Sequence, residues 1–254
     1  MLIDTHCHLQ FPQFDEDRAM VIGNAKKAGV KQFVVPGVDP LSCKLSMELA
    51  EQHPKVVFPA IGFHPYEASH GARGTTLEKL FDKRVVAIGE IGLDYHLFKG
   101  EPALGKKQEQ KILFEEQLRF TLARNLPVIM HCRDAYEDFF DVLDNLPSMP
   151  RGVIHCFSGG LQELRLAQER NLFVGIDGNV TYSKQLALIV AHIPLSMLLL
   201  ETDSPYLTPA PHRGHRNEPK YVPLIAEEIA KLQSVDRSVI EMQTTQNAQT
   251  LFVL

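Results

Sequence analysis

Apolar and polar positions follow two rhythms along this chain. Short apolar, mostly β-branched runs recur at Met1–Thr5, Gln32–Pro36, Val56–Ile61, Val85–Ile88, Val128–Met130, Val153–Ile154, Leu172–Ile176 and Leu198–Leu200. Runs that are apolar at successive positions fit strands buried on both faces of a parallel sheet. Between them lie longer segments with helical spacing: Asp17–Ala28, Leu41–Gln52, Thr76–Phe81, Lys107–Arg124, Ala135–Asp144, Leu161–Arg170, Ser183–His192, Pro223–Leu232 and a last one from Arg237 onward. Gly29 is placed to cap the first, and the longest stops before Pro127. Eight strand–helix alternations in 254 residues predict an α/β fold, a (β/α)8 TIM barrel forming one domain over residues 1–254. A doubly wound open sheet is the competing arrangement. No Pro/Gly/Ser-rich linker interrupts the alternation, and Phe98–Gly105 reads as a long loop.

Composition narrows the class. The apolar share is 44% and the charged share 22%, ordinary for a globular protein, and no apolar run is long enough to span a bilayer. The start, Met1-Leu2-Ile3-Asp4-Thr5-His6, lacks the basic and long apolar stretches of a signal peptide. Four cysteines (Cys7, Cys43, Cys132, Cys156) without a CxxC pair make neither a disulfide scaffold nor a zinc knuckle. A cytoplasmic chain with reduced thiols is expected. The net charge of −5 argues against non-specific wrapping of nucleic acid, which needs Lys and Arg against phosphate.

The 11 histidines change the picture. His6 and His8 close the first strand, His64 follows the third, His131 ends the fifth and His155 the sixth. Glu90 ends the fourth and Asp203 the eighth. Each stands at the C-terminal end of its strand, and in a barrel those ends converge on one mouth. A single histidine there is ordinarily a polar rim residue; this joint pattern has no structural reason. Imidazole with carboxylate suits a divalent transition ion. If strand geometry continues through both, His6 and His8 share a face and Cys7 turns away. Cys132 and Cys156 turn away from their histidines by the same logic, as small apolar fillers.

Six candidate ligands (His6, His8, Glu90, His131, His155, Asp203) exceed what one zinc takes. They suit two divalent ions with Glu90 as the bridging carboxylate, an arrangement that favours phosphate-ester hydrolysis. The loop Pro211–Pro219 adds Arg213 and Arg216, whose forks match phosphate. Arg133 and Ser158 stand close behind His131 and His155. Asp134 fits equally an N-cap and a support for the site. His53, His70 and His192 lie far from the strand ends, whereas His96 is within reach of the mouth. Phe63 and Phe157 sit where a substrate passes, and Tyr66, Tyr95 and Tyr206 are better placed to stack on a base.

These residues carry a resemblance. Ile3-Asp4-Thr5-His6-Cys7-His8-Leu9, Gly62-Phe63-His64-Pro65, Gly89-Glu90-Ile91-Gly92-Leu93-Asp94-Tyr95, His131-Cys132-Arg133-Asp134-Ala135, His155-Cys156-Phe157-Ser158-Gly159, Glu201-Thr202-Asp203-Ser204-Pro205-Tyr206-Leu207 and Arg213-Gly214-His215-Arg216-Asn217-Glu218-Pro219 stand in order over most of the chain. The chain resembles the TatD family of metal-dependent deoxyribonucleases, within the amidohydrolase-like barrels. His212 and His215 are less typical of the basic loop. The resemblance implies a TIM barrel and a two-metal site on His6, His8, Glu90, His131, His155 and Asp203. It implies a phosphate or supporting contact for His64. It also implies Mg- or Zn-dependent hydrolysis of DNA, including 3′–5′ exonuclease action, in repair or turnover; Mn suits the same imidazole and carboxylate donors.

The expectation is a metallohydrolase that cleaves phosphodiesters of DNA, single-stranded or at ends, without a membrane or an obligate protein partner. Asp203 and Glu90 are the expected catalytic residues, and His64, Arg213, Asn217 and Arg133 the expected substrate contacts. The alternative is hydrolysis of an amide or carboxylic ester on the same two-metal site.

Overall fold

The structure, a computed structural model, describes residues 1–98, 101–102 and 107–254. Eight strands form one parallel sheet in chain order: β1 (Leu2–Asp4), β2 (Val30–Pro36), β3 (Val57–Ile61), β4 (Ala87–Asp94), β5 (Val128–Arg133), β6 (Gly152–Ile154), β7 (Phe173–Ile176) and β8 (Leu198–Leu200). The sheet closes between its first and last strands. Thr5 N–H donates to Leu200 O at 3.0 Å, and a parallel bridge joins Cys7 to Ser204. This is the predicted barrel, and the open doubly wound sheet is excluded.

The helices are α1 (Arg18–Lys27), α2 (Pro40–Gln52), α3 (Leu77–Leu80), α4 (Lys107–Arg124), α5 (Tyr136–Asp144), α6 (Leu161–Glu169), α7 (Lys184–Val190), α8 (Val222–Gln233) and α9 (Arg237–Phe252). Local chemistry sets their ends. Asp39 caps α2 by accepting from Ser42 N–H at 2.7 Å, with Pro40 at the first helical position. Leu97–Phe98 pairs antiparallel with Glu101–Pro102 in a small ribbon, and the rest of the expected Phe98–Gly105 loop lies outside the described residues.

Both faces of the sheet are apolar, as the sequence runs require. Ile3, Val34, Ala60, Ala87, Ile129, Val153 and Leu199 meet inside the barrel, where Ala248, Leu251 and Phe252 of α9 close its floor. Their neighbours Phe33, Val35, Ile88, Met130, Ile154 and Leu200 pack in the cluster that includes the helices. Alternation then aims the next inward positions, one layer above the floor, at the mouth. Among the described residues no helix is long and apolar enough to cross a membrane.

Candidate metal centre

Simple alternation delivers two of the candidate ligands. Ile129 packs on the floor, Met130 outward, and His131 two residues on faces inward with Ile129. Val153 and His155 repeat the pattern on β6 and just beyond it. Two other strands need a device. On β4 the register with β5 shifts between Ile88 and Ile91, and this bulge puts Glu90 on the inward face that Ala87 started. The strand also runs on to Asp94, so Glu90 stands within β4 and not at its end. On β1 the regular strand stops at Asp4 and bends at Thr5 and His6. The bend lets both His6 and His8 face the mouth, while Cys7 joins the buried apolar cluster.

The side chains converge on Glu90. Its Oε2 lies 3.4 Å from His6 Nε2 and 3.7 Å from His8 Nε2, and Asp203 Oδ1 lies 3.7 and 3.4 Å from the same two nitrogens. Its Oε1 lies 2.8 Å from His155 Nε2 and 3.0 Å from His131 Nδ1. The two oxygens of one carboxylate thus face two different sets. Donor atoms of His6, His8 and Asp203 lie within 4.8 Å of one another, as do those of Glu90, His131 and His155. The residues present fit divalent ions: the donors are imidazole and carboxylate, crowded within reach of a shared ion.

Electrostatics agree with a site built for positive charge. Burial works against the charge of Glu90, yet the surrounding imidazoles of His155, His64 and His131 hold it well below the usual carboxylate range. Asp203 is likewise lowered against its burial, by His8 and His6. Burial opposes charge on His155, but Glu90 and Glu201 raise it well above the ordinary imidazole value. His6 goes the other way, lowered by burial and then by the proximity of His155, whose ring stacks on it at 3.8 Å.

His64 lies at the edge of this cluster, with a donor atom within 4.8 Å of those of Asp94 and His131. Its Nδ1 accepts from Tyr66 N–H at 3.3 Å, so the proton sits on Nε2, 3.6 Å from Glu90 Oε1. Burial pushes this imidazole down to about 3, so it is neutral. It therefore presents an N–H donor to the mouth. Arg213 is exposed and lies 3.6 Å over the Tyr182 ring. Arg133 ends β5, near enough to Tyr66 to act on its phenol.

Several expected residues are turned elsewhere. Asn217 is fully buried; its Nδ2 donates to Thr202 O at 2.8 Å and to Tyr206 O, and its Oδ1 accepts from Glu218 N–H at 2.9 Å. Its amide is spent on the backbone, so it fastens the loop and offers nothing to a substrate. Arg216 is clasped by Asp17 at 2.6 and 2.9 Å. Asp134 neither caps α5, whose N-cap is Ala135, nor supports the ligands; it accepts from His96 at 2.8 Å. Phe63 and Phe157 are 1% and 2% exposed, too buried to touch a substrate. Tyr66 and Tyr95 donate to Asp94 and Asp138, while Tyr206 stays exposed. Cys132 fills the core as expected, but Cys156 sits half-buried beside the carboxyl of Asp177.

The structure adds residues that pattern reading passed over. Asp94 Oδ2 lies 3.2 Å from His131 Nε2 and orients that ring. Buried Gln110 and Gln117 of α4 reach the backbone around the site. Gln117 accepts from Phe63 N–H at 2.8 Å and donates to Phe63 O at 2.9 Å; Gln110 does the same for Asp94, at 2.9 Å each. Asp4 accepts from Thr202 N–H and Oγ1–H at 3.0 and 2.6 Å, tying β1 to the segment that carries Asp203. The available signal was the spacing of Gln110 and Gln117, two turns apart on one face of a helix.

Comparison with known proteins places this geometry. The family described as TatD related DNase matches residues 3–253. An uncharacterized metal-dependent hydrolase of Bacillus subtilis, YabD, is 39% identical, covering 99% of each chain. A protein of Pantoea ananatis named 3′-5′ ssDNA/RNA exonuclease TatD is 37% identical over 100% of both. Among solved structures, the Escherichia coli TatD homolog YJJV superposes with a TM-score of 0.88 at 30% identity, covering 100% of this chain and 98% of that one. A fold, a set of inward histidines and carboxylates, and full-length likeness agree: the chain belongs to the TatD related DNase family of metal-dependent hydrolases.

Proposed function

We propose that this protein is a two-metal 3′–5′ exonuclease acting on single-stranded nucleic acid. One observation carries the reading: the two oxygens of Glu90 face separate sets, His6, His8 and Asp203 on one side and His131 and His155 on the other. Two divalent ions held there, Zn, Mg or Mn, supply Lewis-acid stabilisation of phosphoryl oxygens and acidify water. The relative from Pantoea ananatis, named an ssDNA/RNA exonuclease, supports the substrate class.

The protein's own groups take the remaining roles. Asp203 is the proton acceptor, because its side chain keeps 15% exposure where that of Glu90 keeps 5%. His64 donates its Nε2–H to a phosphate oxygen. Arg213 forks a flanking phosphate from the rim, and Arg133, at the end of β5, lends positive potential. Amide or carboxylic-ester hydrolysis needs neither of these cations.

The test uses oligonucleotides of single-stranded DNA and RNA labelled at either end, with Mg2+, Mn2+ or Zn2+ added. A ladder shortening from the 3′ end, abolished by chelator, is expected. Asp203→Asn should lower the rate by roughly 10²–10⁴-fold. Absence of cleavage under every metal, with turnover of an amide or carboxylic-ester panel, would transfer the site to the other chemistry.

A further inference from the structure

Beneath the metal centre lies a carboxylate without an assigned task. Glu201 follows β8 and is fully buried inside the barrel. Its Oε1 accepts from the backbone N–H of Cys156 and lies 3.6 Å from His155 Nδ1. Among the described residues its Oε2 has no hydrogen-bond partner, and neither has His155 Nδ1. Burying such atoms unpaired is costly, and native proteins keep very few. Here a ring nitrogen without a partner has a Glu201 oxygen 3.6 Å away, and the other oxygen of the same carboxylate is spare. A further observation is independent of both. A Cβ at Gly175 on β7 would fall 2.1 Å from Glu201 Oε2 and 2.5 Å from Cδ. The strand carries a glycine, weak in a strand interior, where the carboxyl group needs the room.

From this arrangement we infer that Glu201 is the positioning residue of His155: it receives the Nδ1–H and thereby turns the Nε2 lone pair toward the metal position beside Glu90. The inference rests on the metal-centre reading above. The atoms need approach by only about 0.5 Å to reach hydrogen-bond distance. His155 Nε2 already points at Glu90 Oε1, 2.8 Å away, so the ring has the orientation that this tautomer serves. A carboxylate on the far nitrogen fixes the tautomer, holds the ring plane and raises ligand basicity. His6, stacked on His155 at 3.8 Å and 13°, is steadied by the same contact. Oε1 is already engaged with the Cys156 N–H, so Glu201 is anchored from the segment after β6, two strands away.

The test reads metal attachment as well as affinity. In the Zn2+-loaded full chain, 15N spectra of the ring nitrogens, assigned by loss of signal in His155→Asn, should show His155 with zinc on Nε2 and a proton on Nδ1. Zinc on Nδ1 overturns the proposal without any variant. Glu201→Gln, checked for folding by circular dichroism, should weaken Zn2+ affinity about 10–100-fold in chelator competition and shift the Nδ1–H signal. Gly175→Ala displaces the carboxyl group while leaving its charge, and should do the same. Unchanged affinity and an unchanged Nδ1–H in either folded variant overturn the proposal. A wild-type chain that takes up no Zn2+ refutes the metal-centre reading instead, so the two failures are distinguishable.

Discussion

Asp177 follows β7 with its carboxyl group 1% exposed, accepting from Asn179 N–H at 2.6 Å. Burial, with Glu201 and Asp203 nearby, lifts it from the ordinary 3.8 to about 7. Between those values the unfolded chain is ionised at this residue while the folded chain keeps its proton. The folded state therefore loses stability as pH rises through that window, by at most about 1.4 kcal/mol per pH unit from this group. Asp177→Asn removes the effect. Compared with wild type, the metal-free variant should gain relative stability between about pH 4 and about pH 7 in urea titrations. Parallel profiles for the two proteins would contradict it. At this scale the sequence was informative where a histidine broke an apolar run, because few residues are polar and rare at once. It was mute on Asp94, Asp177 and Glu201. An acidic residue is common, 31 in this chain, and only the neighbours that a fold brings to it give it meaning. Glu201 stood two residues before Asp203, the same spacing that made His6 and His8 conspicuous.

Elements hold these residues by devices that a periodic reading does not contain. β4 carries Glu90 inward only because its register slips by the bulge, and it then approaches β5 so closely that a Cβ on Gly92 would lie 1.9 Å from His131 O. Gly92 also has φ +151°, which L side chains rarely adopt. Gly92→Ala should therefore cost several kcal/mol, roughly 3 or more, and yield little folded protein in a soluble-expression and thermal-melt comparison. α4 acts at longer range. Its Gln117 satisfies both backbone groups of Phe63, the residue before His64. Gln117→Leu leaves that peptide donor and acceptor buried and unpaired, a loss of about 1–3 kcal/mol. The expected kinetic signature is a raised KM with metal content unchanged, as the His64 donor loses its position. The strands and helices themselves were legible, since apolar runs and helical spacing report burial directly. Their ends were less so: β4 and β5 run past the predicted limits because Glu90, Asp94, His131 and Arg133 are polar residues in strand geometry.

The whole molecule carries −5, yet the mouth of the barrel is separately arranged. Arg216 is neutralised by Asp17 and anchors the loop to the segment before α1, leaving Arg213 as that loop's exposed arginine. Binding of a single strand should then depend only weakly on salt. Arg213→Ala should flatten the slope of log affinity against log salt by about 0.7, measured by fluorescence anisotropy with a catalytically dead Asp203→Asn background. An unchanged slope removes Arg213 from the phosphate path. A strand-by-strand reading anticipated the barrel because alternation is a global property of the chain. It did not anticipate how the ring is sealed. Asp4 binds Thr202 across 198 positions of sequence, and Thr5 meets Leu200 across the same joint. His6 and His8 stand on one side of that joint and Asp203 on the other. During synthesis the imidazoles of His6 and His8 are made about 200 residues before their carboxylate partner Asp203 and must wait for it. The cluster is thus assembled only when β8 joins the ring: a chain that stalls before it has most of a barrel and only part of the candidate ligand set.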